Sequence, residues 1–149
     1  MDAYKKSESR RYLGVDYGDA RTGLAVSDPD GLLASGIGQI TPGGMRRTAE
    51  LVSAEAARLG VSRIVVGLPK NMDGTEGFRA EAVRAFVAIL AEMTVLPIAL
   101  YDERLSTCEA HRYLQSTGIS TKKRKGVVDT LSAQIILQDY LDRERNTHQ

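Results

Sequence analysis

Cysteine and histidine are scarce in this chain, and that scarcity limits the sites it can build. A single cysteine, Cys108, has no partner for an internal disulfide and is too few for a cysteine-based zinc site. Of the two histidines, His148 lies in the polar C-terminal tail. A metal site with cysteine or histidine ligands is therefore not expected.

Long apolar runs and a strong charge imbalance are also missing. No segment approaches the ~18 consecutive apolar residues that read as a membrane span. The opening residues, MDAYKKSESRR, lack the apolar segment of a secretion signal. The net charge of +1 gives no global signal for nucleic acid, so any such signal must be local. We expect a cytoplasmic protein that does not associate with membranes.

The length and composition suit one ordinary globular domain. The chain has 149 residues, 42% of them hydrophobic, which is enough to bury a core without disulfides. It contains no internal repeat and no low-complexity segment. We expect a flexible N-terminus over residues 1–10, one domain over residues 11–143 and a flexible tail over residues 144–149.

Apolar periodicity predicts an α/β fold with a mixed five-stranded sheet. The predicted strands are 12–15, 22–27, 36–40, 64–67 and 96–101, and the predicted helices are 45–59, 78–93, 106–116 and 127–143, with a basic loop before the last helix. The first three strands follow one another as an antiparallel meander. Right-handed crossovers then place the fourth and fifth strands beside a central first strand, with helices on both faces.

Three acidic residues fall where this arrangement brings strand ends together. Asp16 ends the first strand and Glu103 follows the fifth, and ligands collect outside the carboxyl ends of parallel strands. Asp129 shares the apolar face of the last helix with Ala133, and that face should point at the sheet. Each acid has an ordinary alternative: a turn residue for Asp16, a partner of Arg104 for Glu103, and a helix-dipole contact for Asp129.

Carboxylates crowded at one site repel one another unless a cation neutralises them. Mg²⁺ or Mn²⁺ suits such a site, because hard cations prefer oxygen ligands. Two ions about 3.5–4 Å apart would activate a water and stabilise the leaving oxygen in phosphodiester cleavage. The predicted chemistry is therefore that of a nuclease.

Three parts of the chain carry a family resemblance. They are GVDYGDARTGLAVSD, then VVGLPKNMDGTEG, and then YDERLST with VVDTLSAQIILQDYL, and together they span nearly the whole domain. In this order they resemble the YqgF (RuvX) family of RNase H-like nucleases, whose members are described as Holliday junction resolvases and as pre-16S rRNA nucleases. The resemblance implies an RNase H-like sheet and an acidic catalytic and metal-binding triad at Asp16, Glu103 and Asp129.

Polar residues beside these motifs are candidate contacts to the nucleic acid. Arg21 could instead pair with Asp19 or Asp28, and the long polar loop after the fourth strand could simply face solvent. The basic run before Asp129 could likewise be a solvated charge run. The candidates are Arg21, Lys70, Asn71, Asp73, Arg104, Thr107, Lys122, Lys123, Arg124 and Lys125.

One core accounts for all the apolar segments of the chain, so none is left over to form a dimer interface. This affects which substrate is expected. A resolvase of four-way DNA junctions needs two active sites related by a two-fold axis, and therefore a dimer. A monomer with one two-metal site fits a single-stranded or flexible RNA better. We expect trimming of pre-16S ribosomal RNA ends. The alternatives are a dimeric resolvase of branched DNA and a non-catalytic RNA-binding ribosome-assembly factor.

A nucleotide-binding ATPase of the actin and Hsp70 type is a weaker alternative. In those proteins too, a phosphate-binding loop that contains glycine and aspartate follows a strand. Such proteins close two RNase H-like domains around ATP, whereas a chain of 149 residues has room for one.

Overall fold

The computed structural model describes residues 9–41, 43–106 and 121–147, with side chains described from Thr130 onward in the last range. Within these ranges the chain forms five strands, a short 3-10 helix and three α-helices. The strands are β1 (Tyr12–Asp16), β2 (Thr22–Ser27), β3 (Ala34–Ile40), β4 (Arg63–Leu68) and β5 (Ile98–Asp102). The helices are α1 (Met45–Leu59), α2 (Phe78–Ala91), the 3-10 helix Glu103–Leu105 and α3 (Thr121–Thr147).

The strand β1 lies at the centre of one mixed sheet. The strand order is β3-β2-β1-β4-β5. The pairs β1–β2 and β2–β3 are antiparallel, whereas β1–β4 and β4–β5 are parallel. The predicted meander and the central first strand are both confirmed. Because β1, β4 and β5 run in the same direction, their carboxyl ends meet at one edge of the sheet, the edge at which Asp16 ends β1.

Helices cover both faces of the sheet, as predicted. On one face, α1 and α2 pack over odd-numbered residues of β1 such as Leu13 and Val15. On the other face, α3 packs over β1 at Gly14, where an added Cβ would lie 2.8 Å from Leu137 Cβ. Glycine at this position therefore lets α3 approach the central strand closely. The even-numbered side chains of β1 face α3, because side chains alternate along a strand.

The helix α3 runs antiparallel to β1 and is tied down at the amino end of that strand. Glu144 accepts hydrogen bonds of 2.8 Å from Tyr12 Oη and Arg10 Nη2, and of 2.7 Å from Arg63 Nη1. Burial raises the pKa of Glu144, but these hydrogen bonds and the nearby guanidinium groups outweigh burial and leave that pKa lowered. Since Glu144 lies near Tyr12 and Leu137 near Gly14, the first turns of α3 lead toward the carboxyl end of β1.

The structure corrects both ends of the last predicted helix. Helix α3 begins at Thr121, so the predicted basic loop Lys122–Lys125 is helical instead. Lysine and arginine are good helix formers, and Gly126 costs only about 1 kcal/mol relative to alanine. The helix also continues to Thr147, into the range predicted as a flexible tail, because Glu144 binds Arg10 and Arg63.

The starts of two strands differ from the sequence pattern by two residues, for local reasons, and the other strand ends agree to within one residue. Strand β3 begins two residues earlier than predicted, since Ala34 and Ser35 pair with β2 although they lack an apolar alternation. Strand β5 begins after Pro97, whose carbonyl accepts a hydrogen bond of 3.0 Å from Ile64 N. The predicted helix 106–116 lies outside the described residues except for Ser106, whose hydroxyl donates to the Glu103 carbonyl at 3.0 Å.

Candidate functional site

Asp16 and Glu103 lie at the carboxyl edge of the parallel strands. Asp16 is the last residue of β1 and is 8% exposed. It has the same parity as Gly14, so its carboxylate is on the face covered by α3. Glu103 opens the 3-10 helix directly after β5 and is 1% exposed. Two nearly buried acidic side chains therefore occupy one edge of the sheet.

Gly67 of β4 provides the space that the Glu103 side chain occupies. An added Cβ at Gly67 would lie 2.9 Å from Glu103 Oε2, 3.2 Å from Glu103 Cγ and 2.6 Å from Ile136 Cδ1. The Glu103 carboxylate thus reaches from the end of β5 onto β4, under α3. Val15 of β1 is in register with Val66 of β4, which places Gly67 beside Asp16. Glu103 is consequently directed toward Asp16 across a strand that carries no side chain at this point.

The other neighbour of Asp16 in the sheet is also a glycine. Asp16 pairs with Gly23 of β2 in the antiparallel register. Neither cross-strand neighbour of Asp16 therefore has a side chain on the α3 face. A strand glycine often marks a position where another group approaches the backbone closely. At Gly67 the approaching group is the Glu103 side chain, so the two carboxylates lie side by side on the α3 face.

Asp129 belongs to α3, but its side chain lies outside the described part of the structure. It precedes Ala133 by one helical turn, and the Ala133 carbonyl would lie 3.1 Å from an added Cβ at Gly14. The next residue, Thr130, donates to the Gly38 carbonyl at 3.4 Å. Among the described side chains, no three carboxylate, histidine or cysteine groups come together as a metal site. A triad at this edge therefore depends on Asp129, whose role stays a prediction.

Asn71 and Asp73, predicted to contact substrate, form hydrogen bonds within the loop that joins β4 to α2. Asn71 Nδ2 donates to Thr75 Oγ1 at 2.9 Å, and Thr75 donates to Asp73 Oδ1 from its hydroxyl at 2.6 Å and its backbone nitrogen at 3.0 Å. These bonds lower the pKa of Asp73. At the tip, Gly74 has a φ of 90°, a value that favours glycine. Asn71 and Asp73 therefore hold the loop in shape.

Arg104 joins this loop to the end of β5. Its Nη2 donates to Asp102 Oδ2 at 2.7 Å, and its Nη1 donates to the Met72 carbonyl at 3.4 Å. The hydrogen bond from Arg104 lowers the pKa of Asp102. The adjacent arginine thus pairs with Asp102, while the Glu103 side chain turns onto the sheet. This placement fixes the direction of the 3-10 helix that carries Glu103.

Some of the remaining predicted contacts lie at the carboxyl edge of the parallel strands, and the others lie outside the described residues. Arg21 lies in the β1–β2 turn, directly before β2. Lys70 Nζ lies 4.0 Å from Glu76 Oε2, and Glu76 also binds Arg84. Thr107 and the side chains of Lys122, Lys123, Arg124 and Lys125 are outside the described residues. Their proposed role in binding substrate stays a prediction.

Gly67 and Gly23 are the site residues that sequence reasoning missed. Each interrupts an otherwise apolar or β-branched strand, in VVGLP and in RTGLAVS. A glycine inside a strand pattern indicates a bulge or a close approach of another group. That signal is present in the sequence, but only the structure shows that the approaching group at Gly67 is the Glu103 carboxylate.

The comparisons with known proteins agree with this architecture. Residues 10–143 match the family model described as "RuvX: Holliday junction resolvase". The chain belongs to the RuvX family. The match covers nearly all of the described strands and helices, including both acidic residues at the sheet edge.

Curated relatives in the RuvX family share more than two fifths of their residues with this chain. A protein of Halothermothrix orenii is 44% identical over 138 residues, covering 93% of this chain and 99% of that relative. A protein of Geobacillus kaustophilus is 45% identical over 141 residues, covering 91% and 99%. A protein of Rhodopseudomonas palustris is 46% identical over 131 residues, covering 88% and 82%. All three are named "Putative pre-16S rRNA nuclease".

Solved structures confirm the predicted RNase H-like fold. RuvC of Thermus thermophilus, in complex with a Holliday junction substrate, aligns with a TM-score of 0.58 at 16% identity, covering 92% of this chain and 96% of RuvC. The fowlpox virus resolvase, in complex with Holliday junction DNA, aligns with a TM-score of 0.51 at 10% identity, covering 90% and 98%. Across the described residues, no helix combines the length and the apolarity needed to cross a membrane.

Proposed function

We propose that this member of the RuvX family is a metal-dependent nuclease that trims the ends of pre-16S ribosomal RNA in the cytoplasm. The observation that supports this most strongly is the placement of Glu103 over Gly67, beside Asp16. It brings two nearly buried carboxylates to the carboxyl edge of the parallel strands. The proposed substrate is taken from the names of relatives that are 44–46% identical to this chain.

The donor atoms at this edge fit a hard divalent cation. Asp16 and Glu103 offer carboxylate oxygens at 8% and 1% exposure, where two negative charges are costly unless a positive charge lies nearby. Asp129 would add a third carboxylate from α3. Mg²⁺ and Mn²⁺ prefer such oxygen ligands to the nitrogen and sulfur ligands that this chain largely lacks. When bound, either ion activates water and stabilises the leaving oxygen of a phosphodiester.

The protein's own part in this reaction is positioning. Asp16 is held by the central strand, which has neighbours on both sides. Glu103 is held by the contact of its side chain with Gly67 and by the burial of that side chain beneath α3. Fixed carboxylates would hold a metal at little cost in reorganisation. The fold thus pre-organises the site before the nucleic acid binds.

Resolution of a four-way DNA junction is the second candidate. It is favoured by the description of the matching family model and by the two resolvases that share the fold. A resolvase must make paired cuts and therefore needs two copies related by a two-fold axis. The RNA-trimming proposal requires only one chain. The oligomeric state and the substrate can thus be tested together.

The test incubates purified protein and Mn²⁺ with a labelled pre-16S RNA end or a mobile four-way DNA junction, while light scattering measures the mass in solution. We expect cleavage of the RNA by a monomer and little cleavage of the junction. Symmetric cleavage of the junction by a stable dimer, with the RNA left whole, would overturn this proposal and support junction resolution instead. Tight RNA binding without any cleavage would instead support a ribosome-assembly factor.

A further inference from the structure

Two large apolar side chains are exposed to water beside the acidic edge. Met72, in the loop between β4 and α2, is 85% exposed, and Phe78, the first residue of α2, is 80% exposed. Single exposed apolar residues are ordinary on a protein surface, so a role for these two depends on where they lie. Whether these two side chains take part in binding at the acidic edge depends on their position relative to Asp16.

Phe78 lies at the same end of the sheet as Asp16. It lines a cleft of about 30 Å³ together with Tyr17, Gly18, Asp19, Arg79, Ala82 and Val83. Tyr17 directly follows Asp16 in the chain. Phe78 therefore lies against the turn that leaves the acidic strand.

The position of Phe78 on α2 explains why its ring is uncovered. Phe86 on the buried face of α2 is fully buried and stacks on Tyr17 with ring centroids 4.3 Å apart, whereas Phe78 lies about 80° away around the helix axis. Phe78 lies beyond this stacked pair, where β1 has already turned toward β2. Phe78 thus shares the outward side of α2 with the exposed Ala85, so the core does not cover its ring.

Met72 lies in the loop that leads from β4 to Phe78. The Asn71 amide lies 3.5 Å from the position of an added Cβ at Gly77, so the two ends of the loop are in contact. Met72 follows Asn71, and Phe78 follows Gly77. Arg104 also donates to the Met72 carbonyl at 3.4 Å. The loop therefore presents Met72 from a hydrogen-bonded frame, and it ends at Phe78.

We propose that Phe78 stacks on an unpaired base of the nucleic acid and selects single-stranded segments at the acidic edge, with Met72 on the preceding loop as a further apolar contact. This inference rests on the proposed nuclease function. Aromatic rings stack on any base, because every base has a π-face. Asp19 lines the cleft beside Arg79, so opposite charges offset each other there and stacking has to supply the affinity. A base inside a duplex is already stacked on its neighbours and offers no free face.

Tryptophan substitution gives a direct test, because the chain contains no tryptophan. Phe78→Trp keeps an aromatic ring at the site and places the only indole of the protein there. Val95→Trp is the matched control, because Val95 is fully exposed and lies before β5, at the opposite edge of the sheet. In buffer with EDTA, which prevents metal-dependent cleavage, saturating single-stranded RNA should quench the emission of Phe78→Trp and leave that of Val95→Trp unchanged. Equal responses of the two variants would overturn the proposal.

Affinity supplies the second measurement. Loss of one stacked base weakens binding by about 5–150-fold, the equivalent of ~1–3 kcal/mol. Phe78→Ala should therefore bind fluorescein-labelled single-stranded RNA at least five-fold more weakly than wild type, Phe78→Trp should bind within about two-fold of it, and all three should bind duplex RNA equally. Equal single-strand affinities of wild type and Phe78→Ala would overturn the stacking role and leave the nuclease proposal standing. If wild type bound no single-stranded RNA, both proposals would fail.

Discussion

Glu103 Oε2 lies 2.9 Å from the position that a Cβ would occupy on Gly67. This contact crosses from the end of β5 to β4, the strand next to Asp16. It shows how a residue two strands away from Asp16 in the sheet brings its carboxylate to the same site. It also makes a specific substitution informative.

Gly67→Ala should displace Glu103 without removing its charge. The added methyl group would overlap Ile136 Cδ1 at 2.6 Å as well as Glu103, and such overpacking costs about 1–3 kcal/mol of stability. We expect a folded protein with weakened metal binding and slower cleavage. Gly43→Ala is the control, because an added Cβ there would lie 3.5 Å from Arg47 Cγ, an ordinary contact. Unchanged Mn²⁺ affinity by calorimetry in Gly67→Ala would contradict the positioning role.

Divalent metal should stabilise the protein through the acidic edge. Ligand at 100 times its Kd stabilises a folded state by about 2.7 kcal/mol, or roughly 5–10 °C in Tm for a domain of this size. We therefore expect Mn²⁺ to raise the Tm of wild type and to leave Asp16→Asn and Glu103→Gln nearly unchanged. Asp30→Asn, on an exposed turn, is the control and should respond as wild type does.

The stability of the α3 attachment should depend on pH through Glu144. Its pKa is lowered in the folded state, so its contribution is present above the unfolded value of about 4.3 and is lost as pH falls through the folded value. Glu144→Gln should lose on the order of 2 kcal/mol at pH 7, since hydrogen bonds to charged groups contribute about 1.5–3 kcal/mol. In urea titrations, the difference from wild type should shrink between pH 5 and pH 3, as estimated from the same pKa values.

Glu50→Gln is the control for that experiment. Glu50 lies 3.5 Å from Arg47, and both side chains are at least half exposed, so the pair should contribute about 0–1 kcal/mol. A pH-independent difference between Glu144→Gln and wild type would show that Glu144 stabilises α3 by packing alone.

The basic run at the start of α3 should bind phosphate without reading sequence. Replacing Lys122, Lys123, Arg124 and Lys125 by alanine preserves helix propensity while removing four charges. For single-stranded RNA, the slope of log affinity against log salt should flatten by about 0.7 for each lost contact. Arg46→Ala with Arg47→Ala, on α1, is the control for a general loss of charge. An unchanged slope in the α3 variant would show that these four residues are a solvated charge run and do not contact phosphate.

Most of the fold could be predicted from the sequence because its periodic signals are local. The strand Thr22–Ser27 and the helix Met45–Leu59 have the predicted boundaries, since apolar spacing and the following Gly60 indicate where the helix ends. The start of α3 could not be predicted in this way. Lys122–Lys125 are polar and are followed by Gly126, and their helical conformation depends on continuity with a helix whose later turns pack on the sheet.

The candidate site was harder to predict than the fold. Asp16 and Glu103 follow from strand ends, and the register confirms that these ends meet at one edge. The contact between Glu103 and Gly67 depends on the direction of a 3-10 helix, which Arg104 sets by pairing with Asp102. Such side-chain contacts depend on the tertiary structure, so residue spacing alone does not reveal them.

Cleavage of a 5′-labelled pre-16S RNA end in Mn²⁺ by wild type, Asp16→Asn and Glu103→Gln tests the central claim most directly. If these carboxylates hold the catalytic metal, wild type cuts the RNA while each variant, still folded by circular dichroism, loses nearly all cleavage and retains much of its RNA binding. Cleavage by Asp16→Asn at the wild-type rate would contradict the assignment of the site.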